Sequence, residues 1–99
     1  MTSKQRAYLR GLANAIDPVL YIGKEGITKP LVQQGWDALE AREMIKVSVA
    51  RYAPFDSTRE ACDMLCEKLH AEAVQCIGSK FTIYRRKREE PRLLEGDLD

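Results

Sequence analysis

Two glycines separated by two charged residues, Gly23-Lys24-Glu25-Gly26, form the stretch of this sequence best suited to bind a ligand. An apolar run over residues 19–22 precedes them and predicts a strand, and a helix is predicted to begin soon afterwards. A glycine turn before a helix can accept a phosphate, because backbone N–H groups point outward, the helix dipole favours an anion and glycine allows close approach. An ordinary strand-to-helix turn has the same pattern, so both interpretations remain open here.

The residues around the turn have the types that begin a helix and attract an anion. Thr28 suits the N-cap because its hydroxyl can accept a hydrogen bond from a first-turn N–H. Pro30 suits that first turn, where its missing N–H removes no hydrogen bond. Lys24 and Lys29 would add positive charge at this helix end. Glu25 would oppose phosphate binding if it pointed inward, so we expect it to point outward to solvent.

No arrangement of side chains in the sequence predicts catalysis or metal binding. Cys62 and Cys66 lie four apart on one predicted helix face, but zinc needs about four ligands. His70 and Cys76 could complete the set only without a finger-like spacing. A Cys–His pair would lack a third group to orient it. We expect buried free cysteines, an ordinary histidine, and no catalytic residue, metal or cofactor. The helix acids are interpreted as solvated faces; they are Glu40, Glu43, Glu60, Asp63 and Glu67.

Charge is distributed unevenly along the 99 residues, although the net charge is only +1. Residues 89–99 contain one of the 16 basic residues and five of the 15 acidic ones, so residues 1–88 carry an excess of positive charge. We therefore predict a single domain over residues 1–88 and a loose acidic tail over residues 89–99. The apolar content of 44% is enough for one modest core.

The sequence also predicts where the protein works. No apolar run reaches the roughly 18–20 residues that cross a bilayer. The N-terminus lacks the apolar segment of a signal peptide. Three cysteines without a framework spacing fit a reducing compartment. We expect a cytoplasmic protein with no membrane partner.

Apolar periodicity predicts an α/β fold with the element order α-β-α-β-α-β-β. Helices are expected over residues 3–16, 29–42 and 58–70, and strands over residues 19–22, 44–51, 74–77 and 81–84. Strands separated by helices imply parallel neighbours, and the terminal hairpin adds an antiparallel pair. The prediction is a two-layer sandwich with a mixed four-stranded sheet. Gly35, in the middle of the second helix, is expected to make room for close packing.

The basic residues are scattered in sequence, but a packed α/β sandwich could gather them on one side. Such a patch would bind RNA or DNA in a salt-sensitive way, because phosphate contacts supply most non-specific affinity. An ordinary charged surface is the alternative. The candidates are Lys4, Arg6 and Arg10 in the first helix, Lys24 and Lys29 at the turn, and Arg85, Arg86, Lys87 and Arg88 after the last strand.

An ordered set of short motifs over about residues 3–86 resembles the CRM-domain family (chloroplast RNA splicing and ribosome maturation), most closely its stand-alone bacterial YhbY-type proteins. The motifs are Tyr8-Leu9-Arg10-Gly11-Leu12-Ala13, Pro18, Ile22-Gly23-Lys24-Glu25-Gly26, Thr28, Ala38-Leu39-Glu40, Glu43-x-Ile45-Lys46-Val47, Gln75-x-Ile77-Gly78 and Tyr84-Arg85. The resemblance implies a fold like the C-terminal domain of translation initiation factor three. It also implies a KH-like Gly-x-x-Gly loop, which in KH modules clamps the nucleic-acid backbone.

The resemblance also implies roles for individual residues. Gly23 and Gly26 would admit the RNA backbone, and Lys24 would supply charge. Arg10 and Arg85 occupy basic positions in matching motifs. Charge placement alone adds Lys4, Arg6, Lys29 and Arg86 to these candidates. The acidic tail is not part of the family pattern, and we interpret it as an aid to solubility.

From this resemblance we expect a non-catalytic protein that binds rRNA of the precursor large ribosomal subunit during its assembly, with no small-molecule substrate. RNA shape and unpaired nucleotides would provide specificity. The alternative is a protein-interaction module that docks on a ribosomal protein or assembly factor, and an enzyme ranks third. Salt dependence separates the first two, because RNA capture weakens steeply with ionic strength. The rRNA segment, the assembly step and the oligomeric state stay open.

Overall fold

The computed structural model describes residues 2–86, and the predicted tail over residues 89–99 lies outside this range, as do Lys87 and Arg88. The predicted order of seven elements is confirmed. The helices are α1 (Ser3–Ala13), α2 (Lys29–Arg42) and α3 (Thr58–Leu69); the strands are β1 (Pro18–Ile22), β2 (Met44–Val49), β3 (Glu72–Ile77) and β4 (Lys80–Tyr84). None of the helices in the described part of the chain is long and apolar enough to cross a membrane.

Local sequence signals account for most of the helix ends. Thr2 caps α1 in a reciprocal capping box, with its hydroxyl accepting from the Gln5 N–H at 3.1 Å and its own N–H donating to Gln5 Oε1 at 2.9 Å. This helix ends at Ala13, earlier than the predicted residue 16. The apolar periodicity continues to Ile16 because the chain there makes a tighter turn, in which the Ile16 N–H donates to the Ala13 carbonyl.

The sheet has the strand order β1-β2-β4-β3. Strand β1 runs parallel to β2, and the β2–β4 and β3–β4 pairs are antiparallel, so the mixed four-stranded sheet is as predicted. The C-terminal ends of β1 and β2 therefore lie at the same edge, with the β3–β4 turn. The C-terminal end of β4 lies at the opposite edge, where its last residue, Tyr84, pairs with Met44.

The larger core lies between one face of the sheet and the helices α2 and α3. Alternate strand residues point into it, among them Ile45, Val47, Phe81 and Ile83. Gly35 allows α2 to approach closely, because a Cβ there would lie 2.8 Å from Leu69 Cδ1. This confirms the predicted reason for a glycine in the middle of the helix.

The predicted two-layer arrangement needs one correction, because α1 packs on the other face of the sheet. Leu9 and Ala13 form a second, smaller core there with Met44, Val74 and Tyr84. Met44 precedes the inward-facing Ile45 and so points to the opposite face. The domain therefore has a partial third layer, since one 11-residue helix covers only part of that face.

Two of the acids that were interpreted as solvated helix faces have structural positions instead. Glu43 is 1% exposed and has φ 66°, in the left-handed region, at the point where α2 ends and β2 begins. Its carbonyl accepts from the Arg85 N–H at 2.8 Å. Glu40 pairs with the Arg85 guanidinium. Both acids contact Arg85 because β4 ends beside the C-terminus of α2. Local sequence patterns do not predict that these two chain segments lie side by side.

Candidate nucleic-acid interface

The two glycines close a tight turn between β1 and α2, which we call the glycine turn (residues 23–26). The Gly26 N–H donates to the Gly23 carbonyl at 3.0 Å. Lys24 and Glu25 form the tip and are both exposed, so the expectation that Glu25 faces solvent is confirmed. No group among residues 2–86 accepts a hydrogen bond from the backbone N–H of Lys24 or Glu25. These two amides can therefore donate to an anion.

The two glycines are present for different physical reasons. Gly26 has φ 73°, and a Cβ there would lie 3.1 Å from Pro54 Cγ, so the fold itself requires glycine at this position. Gly23 has no such constraint: the nearest atom to its ideal Cβ is Tyr52 Cε2, at an ordinary 3.9 Å. The missing side chain at Gly23 is thus not explained by packing, whereas close approach of a ligand would explain it.

The N-terminus of α2 offers fewer free amides than its sequence led us to expect. The Thr28 hydroxyl accepts from the Leu31 N–H at 3.2 Å, which confirms the predicted N-cap. The Val32 N–H is bonded to the Thr28 carbonyl, and Pro30 has no N–H. Of the first-turn amides, that of Lys29 remains for a ligand. More of the free backbone N–H groups that can donate to an anion therefore lie on the glycine turn than at the N-terminus of α2.

A second loop lies beside the glycine turn and adds two residues that the sequence analysis missed. The Ala50 N–H donates to the Ile22 carbonyl at 2.9 Å, which joins the ends of the parallel strands β1 and β2. Arg51 and Tyr52 follow at once, and both are exposed, Tyr52 at 72%. The available signal was the predicted parallel pairing, which brings the residues after β1 and after β2 to one edge.

The three predicted basic residues of α1 have different environments. Lys4 and Arg10 are exposed, and both remain available to a ligand. Arg6 is half-buried, and its guanidinium donates to the carbonyl of Ala73 in β3. Arg6 therefore attaches α1 to the sheet.

Arg85 is held inside the protein at the edge of the sheet opposite the glycine turn. Its guanidinium donates to the Leu69 carbonyl at 3.0 Å and to Glu40 Oε1 at 2.8 Å, and lies 4.0 Å from the centroid of the Trp36 ring. Its side chain is only 12% exposed. With its guanidinium donors engaged in this way, Arg85 is a structural residue.

The structure does not bring Arg85 and Arg86 together with the glycine turn in one basic patch. Arg85 follows the strand end beside Glu43, whereas the glycine turn lies beside Ala50, at the other end of β2. The six residues of β2 separate these points by about 20 Å. Arg86 is exposed at the same far edge and lines a small groove with Trp36, Glu40 and His70. Antiparallel β4 ends where β2 begins, which puts both arginines far from the turn.

Cys62 and Cys66 have the buried, unpaired state that the sequence predicted. Cys62 and Cys66 are buried, Cys76 is half-buried, and all three are free thiols. The hydrogen bond with Cys66 and burial in the core both raise the pKa of the Cys62 thiol above its ordinary value. Within residues 2–86, no three or more His, Cys, Asp and Glu side chains come together in a way that could hold a metal ion.

The fold and the glycine turn define the class of this protein: a small α/β domain with a Gly-x-x-Gly turn between a strand and a helix. Its family follows from its sequence, since the profile of the CRS1 / YhbY (CRM) domain matches residues 1–85. The chain therefore belongs to the CRM-domain family.

Individual relatives agree with this membership. The chain is 32% identical over 93 residues to the Bacillus subtilis protein named "Probable RNA-binding protein YqeI", covering 94% of this chain and 96% of the relative. It is 32% identical over 89 residues to an RNA-binding protein of Haemophilus influenzae, covering 90% and 89%. The solution structure of SAV1595 from Staphylococcus aureus, for which RNA binding is the suggested activity, matches with a TM-score of 0.77, 46% identity and coverage of 91% and 93%.

Proposed function

We propose that this protein binds RNA without catalysing a reaction, and that its target is rRNA of the precursor large ribosomal subunit during assembly in the cytoplasm. The relatives named as RNA-binding proteins and the family resemblance support this proposal. The observation that carries it is Gly23, a half-buried turn glycine that neither backbone conformation nor packing requires. A ribose-phosphate chain that passes close to the turn explains why position 23 has no side chain.

The mechanism combines amide donors, charge and stacking at one edge of the sheet. The N–H groups of Lys24 and Glu25 donate to phosphate oxygens, and the ammonium groups of Lys24 and Lys29 attract the polyanion. Arg51 adds a cation on the neighbouring loop. Tyr52 offers an exposed ring on which an unpaired base can stack.

The proposed RNA-contacting set differs from the sequence prediction at both ends of the chain. Arg85 is removed from it because its guanidinium is engaged with Glu40, Leu69 and Trp36. Arg6 contributes by holding α1, and Arg86 lies at the distant edge. The retained residues are Gly23, Lys24, Glu25, Gly26 and Lys29, with Lys4 and Arg10 on α1 and with Arg51 and Tyr52 added.

The test places two acids between the glycines, by changing Lys24→Asp together with Glu25→Asp. Both side chains are exposed, so the fold is expected to survive. Affinity for rRNA should fall about 10-fold or more, because repulsion replaces attraction at the phosphate. Arg42→Glu makes the same change in charge at the far end of α2, about 21 Å away, and should leave most of the affinity. Full binding by a folded double variant would show that the turn is not the site.

Two further measurements test the target and the type of contact. Crosslinking to RNA in cells, followed by sequencing of the attached RNA, should recover large-subunit precursor rRNA. Recovery of no rRNA would contradict the proposed role in assembly. Binding should also weaken steeply as ionic strength rises. Salt-insensitive binding to a ribosomal protein or assembly factor would instead favour a protein-interaction module.

A further inference from the structure

The sheet has an open area on the face that α1 covers only in part. The strand register arranges the residues of this face in rows, because paired residues of neighbouring strands point to the same side. The row Met44, Tyr84 and Glu72 lies beneath or beside α1. Two further rows remain, which together we call the open face: Pro18, Lys46, Thr82 and Gln75, and then Tyr21, Ser48, Lys80 and Ile77.

The open face has the side chains of a binding surface and not those of an unfinished core. Lys46 and Lys80 give it positive charge, and none of its eight residues is acidic. Tyr21 is 68% exposed at one side and Ile77 is 62% exposed at the other. An apolar residue and an aromatic ring on either side of two lysines suit a ligand that has both a flat apolar part and negative charge.

A buried hydroxyl at the centre of this face has no partner. Thr82 is 1% exposed, and its Oγ1 makes no hydrogen bond with any of residues 2–86. Leaving a buried polar atom unpaired is unfavourable, so in native proteins such an atom usually pairs with protein, water or a bound ligand. Thr82 lines a groove of about 250 Å³ whose other lining residues are Asn14, Lys46, Gln75, Ile77 and Lys80. The groove is therefore a polar site in which a ligand could satisfy this oxygen.

The rim of the groove is shaped by a contact between α1 and β3. The Gln75 Nε2 donates to Asn14 Oδ1 at 3.3 Å. This bond uses one polar group of each side-chain amide, and the remaining groups can pair with the edge of a nucleobase. Arg10 lies one turn before Asn14 on the same side of α1, and it is exposed. It can add a phosphate contact next to the groove.

We infer that the open face binds an unpaired RNA nucleotide, with its base in the groove beside Thr82 and its phosphates at Lys46 and Lys80. This inference rests on the proposed RNA-binding function and adds a second contact to it. Tyr21 stands on β1 just before the glycine turn, so one strand of RNA can pass from the turn to the open face. Single-stranded segments fit such a surface, because their bases can leave the stack and contact protein.

The first experiment changes only the buried hydroxyl, by Thr82→Val, which keeps the shape of the side chain. The melting temperature should rise by several degrees, because an unpaired buried oxygen is removed. Affinity for a fluorescent single-stranded RNA of about 12 nucleotides should fall about threefold to tenfold, while affinity for a duplex of equal length should not change. Full affinity for the single-stranded RNA would overturn the inference, whatever the change in melting temperature.

The second experiment removes the two cations, by Lys46→Gln with Lys80→Gln. The slope of log affinity against log salt for the single-stranded RNA should become shallower by about 1.4, which corresponds to two phosphate contacts. Arg86→Gln, an exposed arginine that lines a groove with Trp36 and His70 at the far edge of the sheet, is the control and should leave the slope nearly unchanged. Equal slopes for the double variant and this control would contradict the inference.

The outcomes separate this inference from the proposed function on which it rests. If the unaltered protein binds no RNA, both are wrong. If Gly23→Ala weakens binding but Thr82→Val and the lysine pair do not, the glycine turn is the RNA site and the open face is not. If both sets weaken binding, the RNA occupies the two surfaces together.

Discussion

The guanidinium carbon of Arg85 lies 4.0 Å from the centroid of the Trp36 ring, in a cation–π contact that joins the end of β4 to the middle of α2. The same guanidinium reaches Glu40 and the Leu69 carbonyl, so one side chain connects β4 to both helices of the larger core. A residue whose sequence position suggested RNA contact thus holds the two layers together.

The first prediction concerns Arg85→Lys, which keeps the charge but loses the planar fork of donors. The free energy of unfolding should fall by about 1–3 kcal/mol, because a lysine cannot make both hydrogen bonds and the ring contact at once. RNA affinity of the folded variant should be unchanged. Urea denaturation and RNA titration measure the two effects. Arg59→Lys, in an exposed pair with Asp63, is the control and should change stability by less than about 0.5 kcal/mol.

A second prediction uses two helical glycines that have opposite surroundings. Gly35→Ala should destabilise the protein by about 1 kcal/mol or more, since a Cβ would lie 2.8 Å from Leu69 Cδ1 and 3.3 Å from Leu20 Cδ1. Gly11→Ala should stabilise it by about 0.5–1 kcal/mol, because nothing lies within 4 Å of that Cβ and alanine favours a helix. Thermal melting compares the two directly. A stabilised Gly35→Ala variant would contradict the close approach of α2.

The two glycines of the turn give a third prediction, in which stability and binding separate. Gly26→Ala should cost about 1–3 kcal/mol of stability, because alanine is strained at φ 73° and would crowd Pro54. Gly23→Ala should leave stability within about 0.5 kcal/mol and still weaken RNA binding severalfold, because its methyl group blocks close approach. Denaturation and RNA titration on both variants provide the measurement. Full RNA affinity of Gly23→Ala would remove the main support for the turn as a phosphate site.

A fourth prediction concerns the pH dependence of stability. The pKa of the Cys62 thiol is higher in the folded protein than in the unfolded chain. The neutral Cys62 thiol therefore contributes fully to the free energy of unfolding below the unfolded thiol pKa of about 8.5. As pH rises above that value, the free energy of unfolding falls by up to about 1.4 kcal/mol per pH unit. Urea midpoints measured from neutral to alkaline pH should show this decline. In Cys62→Ala the decline should be smaller, and an identical slope would exclude Cys62 as its cause.

The sequence alone determined the elements of this protein and the turn that joins β1 to α2. Capping residues such as Thr2 and Thr28, apolar spacing and the two turn glycines act over a few neighbouring residues, so their consequences can be read locally. The ordered motifs likewise predicted the correct family, because their residues and their order along the chain are properties of the sequence itself.

The tertiary structure decided which basic side chains stay exposed and which hold the fold. Arg85 and Glu40 are 45 residues apart, and the pairing of β4 with β2 brings them together. Tyr52 lies next to Gly23 only because β1 and β2 are parallel. The open face exists because α1 covers one row of residues and stops. These outcomes depend on contacts between distant segments, whose energies are determined by packing that no local pattern encodes.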